Sequence, residues 1–294
     1  MTQTRLVFLR RLGSSIALWG VALWIILSGY EIGFMFLISS LALLGLWEYY
    51  TMLDHKHLPN FKIIGMICGF IFCVGSFYNF RRYGPVSSYD FEVATLLFFM
   101  LVVFARQMFQ RTRDISPLET MAYTLFGLLY VPWLFGFLTK IVFLLPRDPV
   151  THQTTGHLYV LWLLVVTKFS DMGAYVAGSL FGKHPLVPHI SPKKTWEGFF
   201  GALAFSTGGA CGFLALMHRQ LTYLTQTDAV ILGLVLGFAA IIGDLAESII
   251  KRSAEVKDSG HFLPGIGGAL DLIDSILFTA PLLFFYLRFV KRVP

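Results

Sequence analysis

Apolar and polar positions in this chain alternate on the scale of whole helices. Runs of about 20 predominantly apolar residues, the length that crosses a bilayer, recur almost from end to end with short polar stretches between them. Nine spans are expected, over roughly 12–29, 32–50, 62–79, 90–106, 118–145, 157–181, 197–217, 228–250 and 269–290. The fifth is long and contains Pro132, which predicts a kink or a division into two shorter pieces. The predicted fold class is an all-α integral membrane protein, a polytopic helical bundle. It forms a single domain over 1–294, in which 1–145 supply mostly structural helices and 146–294 carry the residues suited to chemistry. A polar cavity in that second half would open to the cytoplasm.

Composition agrees with this reading. The 294 residues are 56% hydrophobic and 14% charged, with a mean hydropathy of +0.68, far from an ordinary soluble domain. The net charge of +6 does not point to nucleic acid, because the basic residues sit in short loops where the positive-inside rule accounts for them. An N-terminus in the cytoplasm puts the polar loops 182–196 and 251–268 on that side too. Arg288, Lys291 and Arg292 near the C-terminus run against the rule and keep an even span count open. Arg5, Arg10 and Arg11 precede the first apolar run, which reads as a retained span rather than a cleaved signal. Cys68, Cys73 and Cys211 form no CxxC pair, and the eight histidines show no HExxH spacing, so neither a disulfide framework nor zinc is expected.

Chemistry concentrates in the stretch GDLAESIIKRSAEVKDSGHFLPGIGGALDLIDS, Gly243 to Ser275. Each acid at mid-membrane costs roughly 2.5 to 3.5 kcal/mol on insertion scales, so Asp244, Glu247, Asp271 and Asp274 must face a polar interior or a cation. On helices Asp244 shares a face with Ser248, Glu247 with Lys251, and Asp271 with Asp274. Two such helices meeting would gather three aspartates into a hard oxygen site suited to Mg²⁺ held with substrate phosphates. An internal salt-bridge cluster with Lys251, Arg252 and Lys257 is the competing reading. The glycines Gly265, Gly267 and Gly268, after Pro264, allow close approach of backbone amides to a phosphate, although any tight re-entry into the membrane would also use them.

A second polar stretch runs FGKHPLVPHISPKKTWEG, Phe181 to Gly198. Ser191 followed by Pro192 predicts a helix N-cap and first turn, with Lys193 and Lys194 in that turn. Cations there oppose the helix dipole unless an anion is bound; contact with lipid headgroups is the alternative. The segment 178–183 departs from a Walker loop in glycine spacing and in having His184 in place of Ser or Thr. Upstream, Lys168 and Asp171 are an i, i+3 pair that is either self-neutralising or faces the same cavity.

The run Ser248, Lys251, Arg252, Lys257, Asp258, Pro264, Gly267, Gly268, Asp271, Asp274, with SPKKTWEG and the Asp171 to Tyr175 segment, closely resembles the signature of the phosphatidate cytidylyltransferases, or CDP-diacylglycerol synthases. The resemblance covers roughly the C-terminal half. Ile266 and Leu272 depart from it, standing where the family has His and Arg. It implies an Mg²⁺-dependent integral membrane enzyme of phospholipid biosynthesis that joins CTP to phosphatidate and releases pyrophosphate, set among membrane lipids and compatible with a homodimer. The bacterial inner membrane, with the site facing the cytoplasm, is the expected location. In the implied site Asp244 and Asp271 hold the metal, with Asp274 a further ligand or their partner. Ser248 donates to a phosphate oxygen, and Lys251, Arg252 and Lys257 neutralise phosphates. Lys193 and Lys194, at the helix start after Ser191, grip the triphosphate or the headgroup, while Asp171, Asp258, Gly267 and Gly268 complete the substrate site. A CTP-dependent enzyme acting on another membrane lipid, an inactive paralogue and an ion-coupled transporter are the alternatives.

Overall fold

The computed structural model describes residues 19–110, 116–148, 154–260 and 267–293. Among them eight helical segments are long and apolar enough to cross a membrane, corresponding to the second through ninth expected spans. The first expected span lies partly outside the described residues; its described part is the apolar helix α1, Trp19–Ser28. The others contain α2 (Glu31–His55), α3 (Lys62–Ser87), α4 (Tyr89–Met108), α5 (Pro117–Leu128), α6 (Phe137–Leu144), α7 (Gly156–Phe181), α8 (Trp196–Leu216), α9 (Gln226–Ser253) and α10 (Ala269–Phe285). A two-stranded hairpin, β1 (Pro185–Val187) and β2 (Ser191–Thr195), separates α7 from α8. The fold is an all-α multi-pass membrane protein, as the apolar runs predict. Pro132 acts as expected: a π-helical turn, Leu129–Trp133, divides the fifth span between α5 and α6.

The chain forms two compact units, Met1–Lys140 with Ser253–Ile273 and Ile141–Arg252 with Asp274–Pro294. The core of the first includes Phe61, Cys68, Phe72, Phe99, Val103 and Leu128. Polar groups in it are satisfied across helices: Tyr50 Oη donates to the Thr124 carbonyl at 2.8 Å, and Thr124 Oγ1 accepts from the Phe61 amide at 2.9 Å. Lys140 Nζ lies 2.6 Å from Glu92 Oε2, with both side chains less than a tenth exposed, and 4.1 Å from the centre of the Phe137 ring. Breaking such a pair strands a buried charge, whereas removing both partners does not. Lys140→Met should therefore destabilise the protein by about 3–5 kcal/mol, and Lys140→Met with Glu92→Leu should recover most of the loss, measured by thermal unfolding in detergent. Equal losses in the single and double variants would show that packing, not charge, dominates there.

In the second unit α7 and α8 approach closely enough that a side chain at Gly201 would collide with Ala177 and with the Gly173 carbonyl, the small-residue packing that lets membrane helices meet. Trp162 Nε1 donates to the Ala210 carbonyl at 3.1 Å, and Ser206 Oγ to the Gly233 carbonyl at 2.8 Å. Asp228, in the first turn of α9, accepts from the Thr225 amide at 2.6 Å and from Tyr286 Oη at 2.5 Å. Lys291 Nζ lies 2.5 Å from the same carboxylate, so one of the cations that run against the positive-inside pattern has a local counter-ion.

Candidate active site

The second unit gathers the acidic residues of α9 and α10 because the two backbones nearly touch. A Cβ at Gly243 would stand 2.5 Å from the Asp274 carbonyl oxygen, so only glycine permits this approach. The carboxylates of Asp244, Glu247 and Asp274 follow from it, each offering an oxygen within 4.8 Å of the other two. Asp274 is 6% exposed and Glu247 1%. Like charges so close repel, and cations stand around them. Lys251 Nζ is 2.7 Å from Glu247 Oε2, the i, i+4 pair expected from spacing. Lys194 Nζ is 2.8 Å from Asp244 Oδ2, an ion pair by distance, although the ammonium is not aligned for a hydrogen bond. On α7, Lys168 Nζ is 3.0 Å from Asp171 Oδ2, and Asp171 Oδ1 receives a long hydrogen bond, 3.5 Å, from Ser275 Oγ. Four carboxylates thus face three ammonium groups in this region. One negative charge is left over in a region that already favours cations, and three clustered hard oxygen donors suit Mg²⁺.

The hairpin carries the lysines to this region by a route other than the one expected. Ser191 and Pro192 do not start a helix: Ser191–Thr195 is β2, paired antiparallel with β1 so that Val187 faces Ser191 and Pro185 faces Thr195. Proline's fixed φ suits an extended strand as well as a helical first turn, and the pairing with β1 decides between them. The helix begins at Trp196, and its N-cap is Thr195, whose Oγ1 accepts from the Gly198 amide at 3.1 Å. Glu197, not a lysine, occupies the first turn, in accord with the helix dipole. Its carboxylate accepts from the Lys183 amide at 3.2 Å and the His184 amide at 3.3 Å, and lies 2.6 Å from His184 Nδ1. Lys193 and Lys194 therefore belong to a strand that closes over α7 and α8.

Between the hairpin and helices α7, α8 and α9 lies a cavity of about 260 Å³ whose walls include Asp171, Tyr175, Lys193, Lys194, Thr195 and Asp244. Its walls carry both signs of charge, Asp171 and Asp244 with Lys193 and Lys194, a mixture that suits a metal-bound phosphate chain.

Over residues 9–290 the sequence matches the cytidylyltransferase family. The chain belongs to that family. It is 30% identical to the phosphatidate cytidylyltransferase of Bacillus subtilis (strain 168) over 268 residues, 91% of this chain and 93% of the relative. It is 33% identical to that of Mycobacterium leprae (strain TN) over 226 residues, 74% and 68% of the two chains. Against the uncharacterized protein YnbB of Escherichia coli (strain K12) it is 40% identical over 141 residues, and there the match spans about half of each chain, 48% and 46%. The protein is thus a multi-pass membrane nucleotidyltransferase, which sets aside the transporter reading.

Of the residues expected in the site, the cytidylyltransferase brings Asp171, Lys193, Lys194 and Asp244 to the cavity and Asp274 to the carboxylate cluster. Ser248 is half-buried on α9, one turn after Asp244, and Ser191 is half-buried at the start of β2. Arg252 Nε donates to the Ile190 carbonyl at 3.3 Å, tying the end of α9 to the hairpin. The first unit holds the remainder. Lys257 and Asp258 are exposed after α9, and Gly267 and Gly268 lead into α10. Asp271 Oδ2 accepts from the Gly268 amide at 3.0 Å. Pro264, Gly265 and Ile266 lie outside the described residues. The sequence places Glu247 in a polar interior and pairs it with Lys251 but leaves it out of the three-aspartate site; its i, i+3 spacing from Asp244 is the signal that joins it to the cluster. Tyr175 and Thr195 also line the cavity; both fall in segments that carry the family resemblance, but no role is assigned to either from the sequence.

Proposed function

We propose that this cytidylyltransferase joins CTP to phosphatidate, giving CDP-diacylglycerol and pyrophosphate, at the cavity between the hairpin and helices α7 to α9. A phosphatidate phosphate oxygen forms the new bond to the α-phosphorus of CTP, and the bond from that phosphorus to the β-phosphate bridging oxygen breaks. No general base is required, because a phosphate monoester is already ionised near neutral pH. Two anions must meet, so the protein's task is to neutralise and align them. Asp244, Glu247 and Asp274 would hold Mg²⁺, with Asp271 one turn earlier on α10 as a further candidate ligand; the ion supplies charge neutralisation on the nucleotide phosphates. Lys194, tied to Asp244, and Lys193 beside it bind phosphate oxygens. Ser248 donates to a phosphate oxygen, while Lys251 holds the Glu247 carboxylate in place. Acyl chains remain among the helices, and CTP enters from the cytoplasmic face of the inner membrane.

The observation that carries this reading is a cluster of three carboxylates, one of which, Asp244, lines the cavity beside Lys194, on a chain whose Bacillus subtilis relative is a phosphatidate cytidylyltransferase along nearly its whole length. The test is pyrophosphate release by the purified protein in detergent, with labelled CTP. Release should require both Mg²⁺ and phosphatidate, with label recovered in the lipid. Label transferred to a neutral polyprenol and not to phosphatidate would replace the acceptor.

A further inference from the structure

Helix α10 starts without an N-cap side chain. Its N-cap residue is Gly268, which has no side chain, so the amides of the first turn depend on groups from elsewhere. One half of a capping box is present: Asp271, at the third helical position, reaches back to the Gly268 amide at 3.0 Å. The other half comes from α2. Glu48 Oε1 accepts from the Ala269 amide at 2.9 Å and Oε2 from the Leu270 amide at 2.8 Å, with a longer contact, 3.4 Å, from Ser259 Oγ to Oε2. Glu48 is 4% exposed, and a buried carboxylate is tolerated only when it is hydrogen-bonded in this way.

No residue at position 268 could do the same work. A Cβ there would stand 2.7 Å from Glu48 Oε2 and 3.0 Å from the Gly260 amide, so the backbone and the distant carboxylate occupy the space that a capping Ser or Asp would need. Gly267, at φ +109°, adopts a conformation that other residues rarely take. A carboxylate bridging two successive amides also restrains the rotation of the helix about its axis, which a single capping hydroxyl does not.

We propose that Glu48 is a positioning residue: it completes the cap of α10 across more than 200 residues of sequence and so fixes the direction of the Asp271 carboxylate. This rests on the reading of Asp271 as a metal-binding residue of the site. A cap that served stability alone would leave the metal response unchanged.

The test uses the full chain in detergent, as wild type, Glu48→Ala, Glu48→Gln and Asp271→Asn, with two readouts. The first is hydrogen exchange at the Ala269 and Leu270 amides. The second is the Mn²⁺ concentration giving half-maximal thermal stabilisation. Exchange in Glu48→Ala should quicken by about tenfold, the size of a lost cap, and the Mn²⁺ half-point should rise by about 10-fold or more, as when a partner that orients a ligand is removed. Glu48→Gln, equal in shape but limited to one acceptor oxygen, should move both in the same direction, and it carries the test if the alanine variant does not fold. Unchanged exchange would overturn the cap, and faster exchange with an unchanged Mn²⁺ response would reduce Glu48 to a structural role. An Asp271→Asn variant that responds to Mn²⁺ as the wild type does would overturn the positioning reading. Neither readout uses CTP or phosphatidate, so an enzyme inactive toward them would sink the proposed reaction and leave this test intact.

Discussion

Asp274→Asn should lower Mg²⁺-dependent pyrophosphate release by about a thousandfold or more, while raising the melting temperature of the protein in the absence of divalent cations. The loss follows from the place of Asp274 in the carboxylate cluster. Metal coordination contributes several kcal/mol to neutralising transition-state charge, and each 1.4 kcal/mol is about tenfold in rate. Asparagine has nearly the same size, so the helix contact at Gly243 survives, but it removes one of three charges whose oxygens lie within 4.8 Å of one another. At 6% exposure, water cannot replace the missing ligand charge. The gain in stability comes from the same removal: without a cation, three crowded carboxylates repel, and deleting one relieves the strain. Opposite signs for activity and stability are what a site that sacrifices stability for function produces. A purely structural salt-bridge cluster would behave otherwise, losing stability on substitution and keeping most of its activity. That outcome would return the region to the competing reading.

How far the sequence reveals this arrangement depends on the range over which each interaction acts. Spans are legible because twenty apolar residues in a row admit few other fates, and Pro132 is legible because its effect on a helix is local. The Glu247 to Lys251 and Lys168 to Asp171 pairs are likewise written in helical spacing. The start of α8 is not. Ser191 and Pro192 satisfy the rules for a helix N-terminus, and what overrides them is pairing with Pro185–Val187, a tertiary fact with no local signature. The true cap, Thr195, stands four residues on. Glu48 is the extreme case: a lone acid inside an apolar run of α2, in the half of the chain expected to be mostly structural, whose partners are amides more than 200 residues away. Its presence in a membrane span already demands an explanation, yet only the fold shows which one.

Lys194→Ala should reduce kcat/KM for CTP by about 100-fold, with most of the loss in KM, whereas Lys193→Ala should cost about tenfold or less. The two lysines are adjacent in sequence but not equivalent. Both line the cavity, but Lys194 is half-buried, 2.8 Å from Asp244, with its side chain 21% exposed, while Lys193 is exposed. A charge-assisted contact to phosphate is worth about 1.5–3 kcal/mol, more where it is partly desolvated, and an exposed lysine is largely screened by water and salt. Lys194 also reports on the state of Asp244. If its ammonium passes from the carboxylate to a CTP phosphate when the substrate binds, Lys194→Ala weakens CTP binding and makes binding less sensitive to ionic strength. If instead it only neutralises Asp244, its removal frees that carboxylate, so the Mg²⁺ requirement falls and KM for CTP stays where it was. A titration of activity against Mg²⁺ at fixed CTP, and against CTP at fixed Mg²⁺, separates the two, and the second pattern would remove Lys194 from the nucleotide site.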